Sequence, residues 1–400
     1  MASKAAVQAT SPPQGGRQQA MRIDVLDGFR AVAIMLVVGF HYGVRWAPPW
    51  SQTIYYPYGA TFAGNLVFQY GWLAVELFFM MSGFVILLTL ERCDSFLDFF
   101  RKRIARLLPA LVLCASITAI ALWIFGPNEW KTDPLSFVLS ILFIDPDLVQ
   151  PLVPSMDLGW VDGAYWTLAV EFRFYALVGL LFLLGRRFIL PAWLVLQVVS
   201  FPLGAPMLRG VHGLDLAKGI LMPAYLPYFT FGICAFEIWR RKAWKGLPLA
   251  GAAMAVVMIL INAGVWDAFV GRHGSHFGLV VVNLIWIGLF GLFMTRSPLL
   301  RPFEWAPLAR LGEASYSLFL LHEAAGIAFM RALDRLGVPP LVNLAVVMVS
   351  IIGVSQLIFH TWETPARNWL LKSTGGLVTR AGARAPWLNY ARGLTQPKAV

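Results

Sequence analysis

Apolar residues in this chain fall in long unbroken blocks, not in the narrow stripes of a soluble helix. Blocks of spanning length lie near 26–46, 70–90, 106–126, 164–184, 188–203, 219–239, 247–266, 277–295, 315–333 and 341–361. A helix needs about 20 apolar residues to cross a hydrocarbon core roughly 30 Å thick. Lipid offers no hydrogen bonds, so each crossing segment must satisfy its own backbone as a helix. The pattern therefore predicts an all-α polytopic membrane bundle of ten transmembrane helices. One further block, Leu135 to Ile144, is too short to cross. It is expected to be re-entrant or to lie in an outer loop.

The polar positions test that count. With the N-terminus inside and ten crossings, 23 of the 32 Lys and Arg fall on the inner side and seven on the outer, with Arg30 and Arg173 inside spans. If the short block also crossed, Arg186-Arg187 and Arg240-Arg241-Lys242 would face outward, against the positive-inside rule. Its neighbours Asp133, Asp145, Asp147, Asp157 and Asp162 suit an outer face. Both termini are expected in the cytoplasm. Residues 1–21 read as a disordered tail and 22–372 as the membrane domain. Residues 373–400 read as a flexible basic tail with no appended soluble domain. No internal repeat of the inverted kind is visible.

Composition agrees: 58% of residues are hydrophobic and 13% charged, against about 45–50% apolar in soluble proteins. The formal charge of +11 would raise the question of nucleic acid in a soluble chain. Here the cations sit in short loops, where orientation explains them, and no nucleic-acid motif accompanies them. Of three cysteines, Cys114 and Cys234 lie within spans and Cys93 in a basic loop. No disulfide framework, and no His or Cys spacing for a metal, is present.

Ionisable residues inside spans are costly and usually face an interior pathway. Arg30 and His41 are eleven residues apart in the first block. That places them within about 20° on one helix face and roughly 16 Å apart along the axis. Glu76 lies about six residues, or roughly 9 Å, below the outer end of the second block, and Glu171 lies at a similar depth. A His and two carboxylates from three helices thus share one level, which suits a general base with an orienting acid. The plainer alternative is that each carboxylate pairs with a cation to hold the bundle together. Glu171 and Arg173 are about 200° apart around their helix and cannot pair with each other, so Arg173 needs another partner. Arg101, Lys102, Arg103 and Arg106 open the third span. They suit the phosphates of a nucleotide-like donor or, more simply, topology and lipid headgroups. His322 lies near mid-depth, where a packed histidine is as natural as a working one. His360 to Arg367 reads as an inner-surface anchor, and His212, His273 and His276 as solvated outer-loop residues.

Six runs together resemble the acyltransferase 3 family of integral membrane acyltransferases. They are Leu26-Asp27-Gly28-Phe29-Arg30 leading to His41, Val75-Glu76 through Gly83-Phe84, and Phe100-Arg101-Lys102-Arg103 through Leu108-Pro109. Trp166-Thr167-Leu168-Ala169-Val170-Glu171, Ser315-Tyr316 through Leu321-His322, and Glu363-Thr364-Pro365 complete the set, over about residues 22–370. Two positions depart: Glu76 stands where the family commonly has Asp, and Phe172-Arg173 where it commonly has Glu-Gln. The resemblance implies a bacterial cytoplasmic (inner) membrane enzyme. It would pass an acyl group, usually acetyl from cytoplasmic acetyl-CoA, to a hydroxyl of a lipid-linked or exported carbohydrate. It also implies that Arg30 and His41 are essential. The acceptors open to it are exopolysaccharide, lipopolysaccharide, a lipid-linked oligosaccharide or a glycosylated small molecule. On this reading His41 is the base, Glu76 or Glu171 fixes its tautomer, and Arg30 acts on the donor. Arg101, Arg103 and Arg106 hold the nucleotide end, and Trp166, Arg173, Tyr316 and His322 are candidate substrate contacts. No metal is expected. The competing classes are a proton-coupled transporter or flippase, with the same residues as a relay, and a lipid sensor without chemistry.

Overall fold

A computed structural model of the chain describes residues 24–48, 50–51, 61–62, 64–93, 95–208, 211, 213–266 and 274–376. The two outermost tails, His212 and His273 lie outside the described residues. Every regular element among those described is helical, and nine helices are long and apolar enough to cross a membrane, or ten if one bent pair is counted as a span. The protein is an all-α integral membrane bundle.

The first helix, α1 (Asp24–Phe40), continues through one π turn, His41–Arg45. It is followed by α2 (Ala74–Leu90), α3 (Phe96–Phe125), α4 (Pro134–Ile141), α5 (Trp166–Leu183) and α6 (Arg186–Ser200). A short α7 (Asp215–Leu221) leads into α8 (Leu226–Arg241), and α9 (Gly246–Ile261) and α10 (His276–Met294) come next. The last group is α11 (Ala306–Glu313), α12 (Ser315–Leu321), α13 (Ala324–Arg335), α14 (Pro340–Ile358) and α15 (Thr364–Ser373).

Two places depart from a plain set of rods. The block near 315–333 is divided: α12 ends before His322-Glu323 and α13 begins after it. A broken helix exposes amide groups that lipid cannot satisfy. Here the buried Asp162 carboxylate accepts from Ala324 N at 2.8 Å and from Ala164 N at 2.9 Å, capping α13 and the turn that opens α5. The short block after residue 134 folds back on itself: Pro134–Ile141 and Pro146–Leu152 meet at a bend of 119°. Asp133 caps its first arm through Leu135 N and Ser136 N, and a proline opens each arm where a free amide would be wasted.

The bundle is drawn tight by glycine where backbones touch. A methyl group on Gly83 would lie 2.3 Å from Phe229 O, and one on Gly232 would lie 2.0 Å from Met80 O. Only hydrogens at both positions let α2 and α8 meet at this separation, as small residues do between membrane helices. Around this seam Phe29, Phe84, Phe229 and Phe290 are fully buried, while Trp123, Val199, Val349 and Leu357 face outward. With lipid as solvent, exposed apolar side chains carry no cost.

Candidate functional site

The third span begins earlier than its apolar block, so the basic cluster is itself helical. On α3, Arg103 and Arg106 are three residues apart and share a face, whereas Arg101 is about 200° from Arg103. The structure follows that phase. Arg103 and Arg106 line an interior cavity together with Arg30. Arg101 turns away: its guanidinium pairs with Asp98 at 2.6 Å and donates to Leu371 O at 2.8 Å, tying α15 to α3. Lys102 also goes to Asp98, at 2.6 Å.

The arginine cavity has a volume of about 80 Å³ and adds Glu171, Ser82, Tyr175 and Tyr316 to the three cations. Glu171 accepts from Ser82 and Tyr175. Arg30 pairs with Asp27 at 2.6 Å, one turn earlier on α1, and the Arg103 guanidinium lies 5.4 Å from the centre of the Tyr175 ring. Tyr316 donates to Leu107 O at 3.0 Å. Two carboxylates therefore stand among three guanidinium groups, which leaves the cavity positive.

His41 opens the π turn at the end of α1 and lines a second, larger cavity of about 490 Å³. Such turns recur at functional sites because they re-aim one side chain out of helical phase. His41 Nδ1 stands 3.0 Å from Glu323 Oε1, with the two side chains 13% and 4% exposed. The His322 ring lies against His41, with centroids 4.9 Å apart at 80°. His322 itself is buried, with Nδ1 2.7 Å from Phe319 O. Glu76, Arg45, Trp50, Trp72, Trp166 and Tyr225 complete much of the lining.

The two cavities share four lining residues, Val75, Phe79, Thr167 and Phe319. They form a thin, mostly apolar wall between the cations and the imidazole.

The sequence candidates thus divide. Arg30, Arg103, Arg106, Glu171 and Tyr316 gather in one cavity, and His41, Glu76 and Trp166 in the other. His322 packs beside His41. Glu171 is not brought to His41; it sits with the arginines. Arg173 lines neither cavity: it pairs with Asp145 at 2.9 Å and donates to Gly219 O at 3.0 Å. The carboxylate nearest the imidazole, Glu323, received no role from the sequence. Its signal was the break of an apolar run by two adjacent ionisable residues, His322-Glu323. Among the described residues no group of His, Cys, Asp and Glu is placed to hold a metal ion. The expected anchor at 360–367 is internal in part: Ser317 donates to the buried Glu363 at 2.6 Å, and Trp362 to Pro109 O at 2.8 Å.

Comparison with known proteins adds an independent line. The profile of a family described as an acyltransferase domain, the acyltransferase 3 family, matches residues 23–360. A Shigella phage Sf6 protein named O-acetyl transferase is 33% identical over 162 residues, which is 38% of this chain and 44% of that protein. The peptidoglycan O-acetyltransferase OatA of Listeria monocytogenes is 22% identical over 376 residues, 86% of this chain and 55% of that one. An O-acetyltransferase OatA of Staphylococcus aureus is 22% identical over 394 residues, 89% of this chain and 59% of that one. The chain thus spans about half the length of these relatives. No solved structure matches.

Proposed function

The chain belongs to the acyltransferase 3 family, and from that premise we propose that it is a membrane O-acyltransferase moving an acetyl group from acetyl-CoA to a hydroxyl of a carbohydrate. The observation that carries this reading is the pair of cavities on either side of one wall. One holds three guanidinium groups, and the other holds an imidazole on a carboxylate. A proton-coupled carrier has no need of the first.

In this reading the arginine cavity faces the cytoplasm and receives the donor. Arg103 and Arg106 take the donor's phosphates, since guanidinium forks match phosphate geometry. Arg30 takes the thioester carbonyl. The acceptor enters the His41 cavity, whose tryptophans and carboxylates suit a sugar's apolar faces and hydroxyl rim.

The chemistry then follows from the dyad. With Nδ1 turned to Glu323, His41 Nε2 is the nitrogen left to accept the proton of the attacking hydroxyl. Glu323 fixes the tautomer and stabilises the imidazolium as it forms. The new C–O bond forms, the C–S bond breaks, and the proton held on His41 returns to the departing thiolate. An acetyl-imidazole on His41 balances equally well and uses the same two residues.

The test is direct. Membranes holding the protein, supplied with acetyl-labelled coenzyme A, are expected to transfer label to a glycan fraction, and membranes holding His41→Gln are not. Absence of transfer from acetyl-CoA in the wild type would overturn the donor assignment.

A further inference from the structure

A third cavity, of about 220 Å³, lies on the far side of Glu323 from His41. It sits between the start of α4, the loop before α5 and the break before α13. Trp46, Gly163 and Glu323 line both this cleft and the His41 cavity, so the two are neighbours across one carboxylate. Glu323 is 3% exposed, and its Oε2 has no hydrogen-bond partner among the described residues.

The cleft's chemistry is mixed in a particular way. Trp46, Trp130 and Trp160 give it three half-buried indoles, and Glu129, Lys131 and Asp157 bring exposed charges to its lining. The Trp46 and Trp130 rings meet at 4.7 Å, and the Arg45 guanidinium lies 4.6 Å from the Trp46 ring centre. An aromatic surface therefore runs without interruption from the His41 cavity into the cleft. Flat apolar faces beside separate hydroxyl acceptors are what a pyranose ring requires: its C–H face packs on an indole and its hydroxyls reach carboxylates. Four carboxylates in the lining, Glu129, Asp133, Asp157 and Glu323, against the one ammonium of Lys131 disfavour an anionic sugar.

We propose that this cleft is a second saccharide subsite, which holds the neutral sugar unit next to the one being acetylated. The acceptor is then an oligosaccharide lying across Trp46, with its reacting unit at His41 and the adjoining unit between Trp130 and Trp160. This rests on the acyltransferase reading. It adds that recognition extends beyond the reacting sugar. Gly163 leaves room for the carboxylate between the two subsites: a methyl group there would lie 3.0 Å from Glu323 Oε2.

The test uses Thr132→Cys, which puts a thiol on the cleft wall, in a chain whose three native cysteines are buried. The same preparation is assayed before and after labelling with a bulky maleimide, for transfer of labelled acetyl to the cell's own glycan and for release of coenzyme A without acceptor. Labelling is expected to cut transfer at least tenfold and leave donor turnover unchanged. In parallel, Trp130→Ala is expected to raise the acceptor KM tenfold or more with kcat and donor KM unchanged, and Trp130→Phe to restore it. If the wild type transfers no acetyl, the acyltransferase reading fails. If the wild type transfers and both the labelled protein and Trp130→Ala match it, the cleft is empty during catalysis and the subsite is overturned. Should labelling impair donor turnover as well, the Trp130 pair alone decides.

Discussion

His41 Nδ1 and Glu323 Oε1 are 3.0 Å apart although 282 positions separate them in the chain. A π turn at the end of α1 delivers one, and a break between α12 and α13 delivers the other. Both are interruptions of regular helix, and they meet at the cavity where proton transfer is proposed.

Replacing His41 by Gln is expected to keep the protein in the membrane and lower acetyl transfer by about 10²–10⁴-fold, the usual scale for losing a general base. Gln can hydrogen-bond but cannot accept the proton. Turnover of His41→Gln within threefold of wild type would show the imidazole to be packing.

For Glu323→Gln, the expectation is a loss of at least tenfold in kcat, with the donor KM unchanged. An amide cannot stabilise an imidazolium, and it allows the wrong tautomer. Rescue separates orientation from folding: Glu323→Asp, which keeps the charge, should recover part of kcat at equal protein in the membrane. Normal kcat in Glu323→Gln would return Glu323 to a structural role.

The three arginines of α3 should separate. Arg103→Gln and Arg106→Gln are expected to raise the donor KM by about ten- to a hundredfold, since hydrogen bonds to charged groups contribute roughly 1.5–3 kcal/mol. Arg101→Gln should leave it alone, because Arg101 serves Asp98 and the α15 carbonyl of Leu371. Donor titrations normalised to membrane protein check this. A uniform response in all three would mean that charge at this helix end matters without direction.

Asp162 is expected to matter for stability. Asp162→Ala removes the acceptor of two helix-start amides, at about 1 kcal/mol each. Thermal unfolding in detergent should show a lower midpoint, with Asp162→Asn falling between the two because one oxygen remains. Equal midpoints would indicate that water replaces both caps.

Orientation is checked with reporters. Tags at Ser95 and Trp244 are expected in the cytoplasm, and tags at Ser51, Asp157 and Ser275 outside. The comparison that decides is Asp157 against Ser95; the same side for both would mean that the short block crosses, and would reverse every loop after α4.

Much of this was legible in the sequence because lipid imposes one rule on every span. Block length marked nine crossings, while the block at 315–333 is broken at His322-Glu323; loop charge argued that Leu135–Ile144 does not cross, and the 119° bend between Pro134–Ile141 and Pro146–Leu152 is the geometry of a re-entrant loop or of a broken span. Depth was legible only in part: residue counting along α1, α2 and α5 put His41, Glu76 and Glu171 near one level, yet Glu171 accepts from Ser82, six residues further along α2 than Glu76. Azimuth was not. Whether Glu171 faces His41 or the arginines depends on how α5 is rotated against α2 and α3, and a helix that is apolar all round carries no stripe to say so. Ser82 and Tyr175 turn it towards the arginines. The His322-Glu323 break was hidden for another reason. Its stabilising partner, Asp162, comes from a distant loop, and the local sign in the run from Ser315 is the ionisable pair itself, without a proline or glycine to mark the stop.

The wall of Val75, Phe79, Thr167 and Phe319 has an electrical consequence. A membrane enzyme with polar cavities reaching towards both faces risks becoming a proton leak, and each charge crossing 100 mV exchanges about 2.3 kcal/mol with the field. Three apolar side chains and one hydroxyl are poor partners for an ion. In the proposed reaction the acetyl group crosses them uncharged, and the one charge that must follow is the proton that His41 returns to the thiolate. In the proposed reading this layer acts as insulation: charge crosses it only in step with group transfer, and not as a free leak through the membrane that houses it.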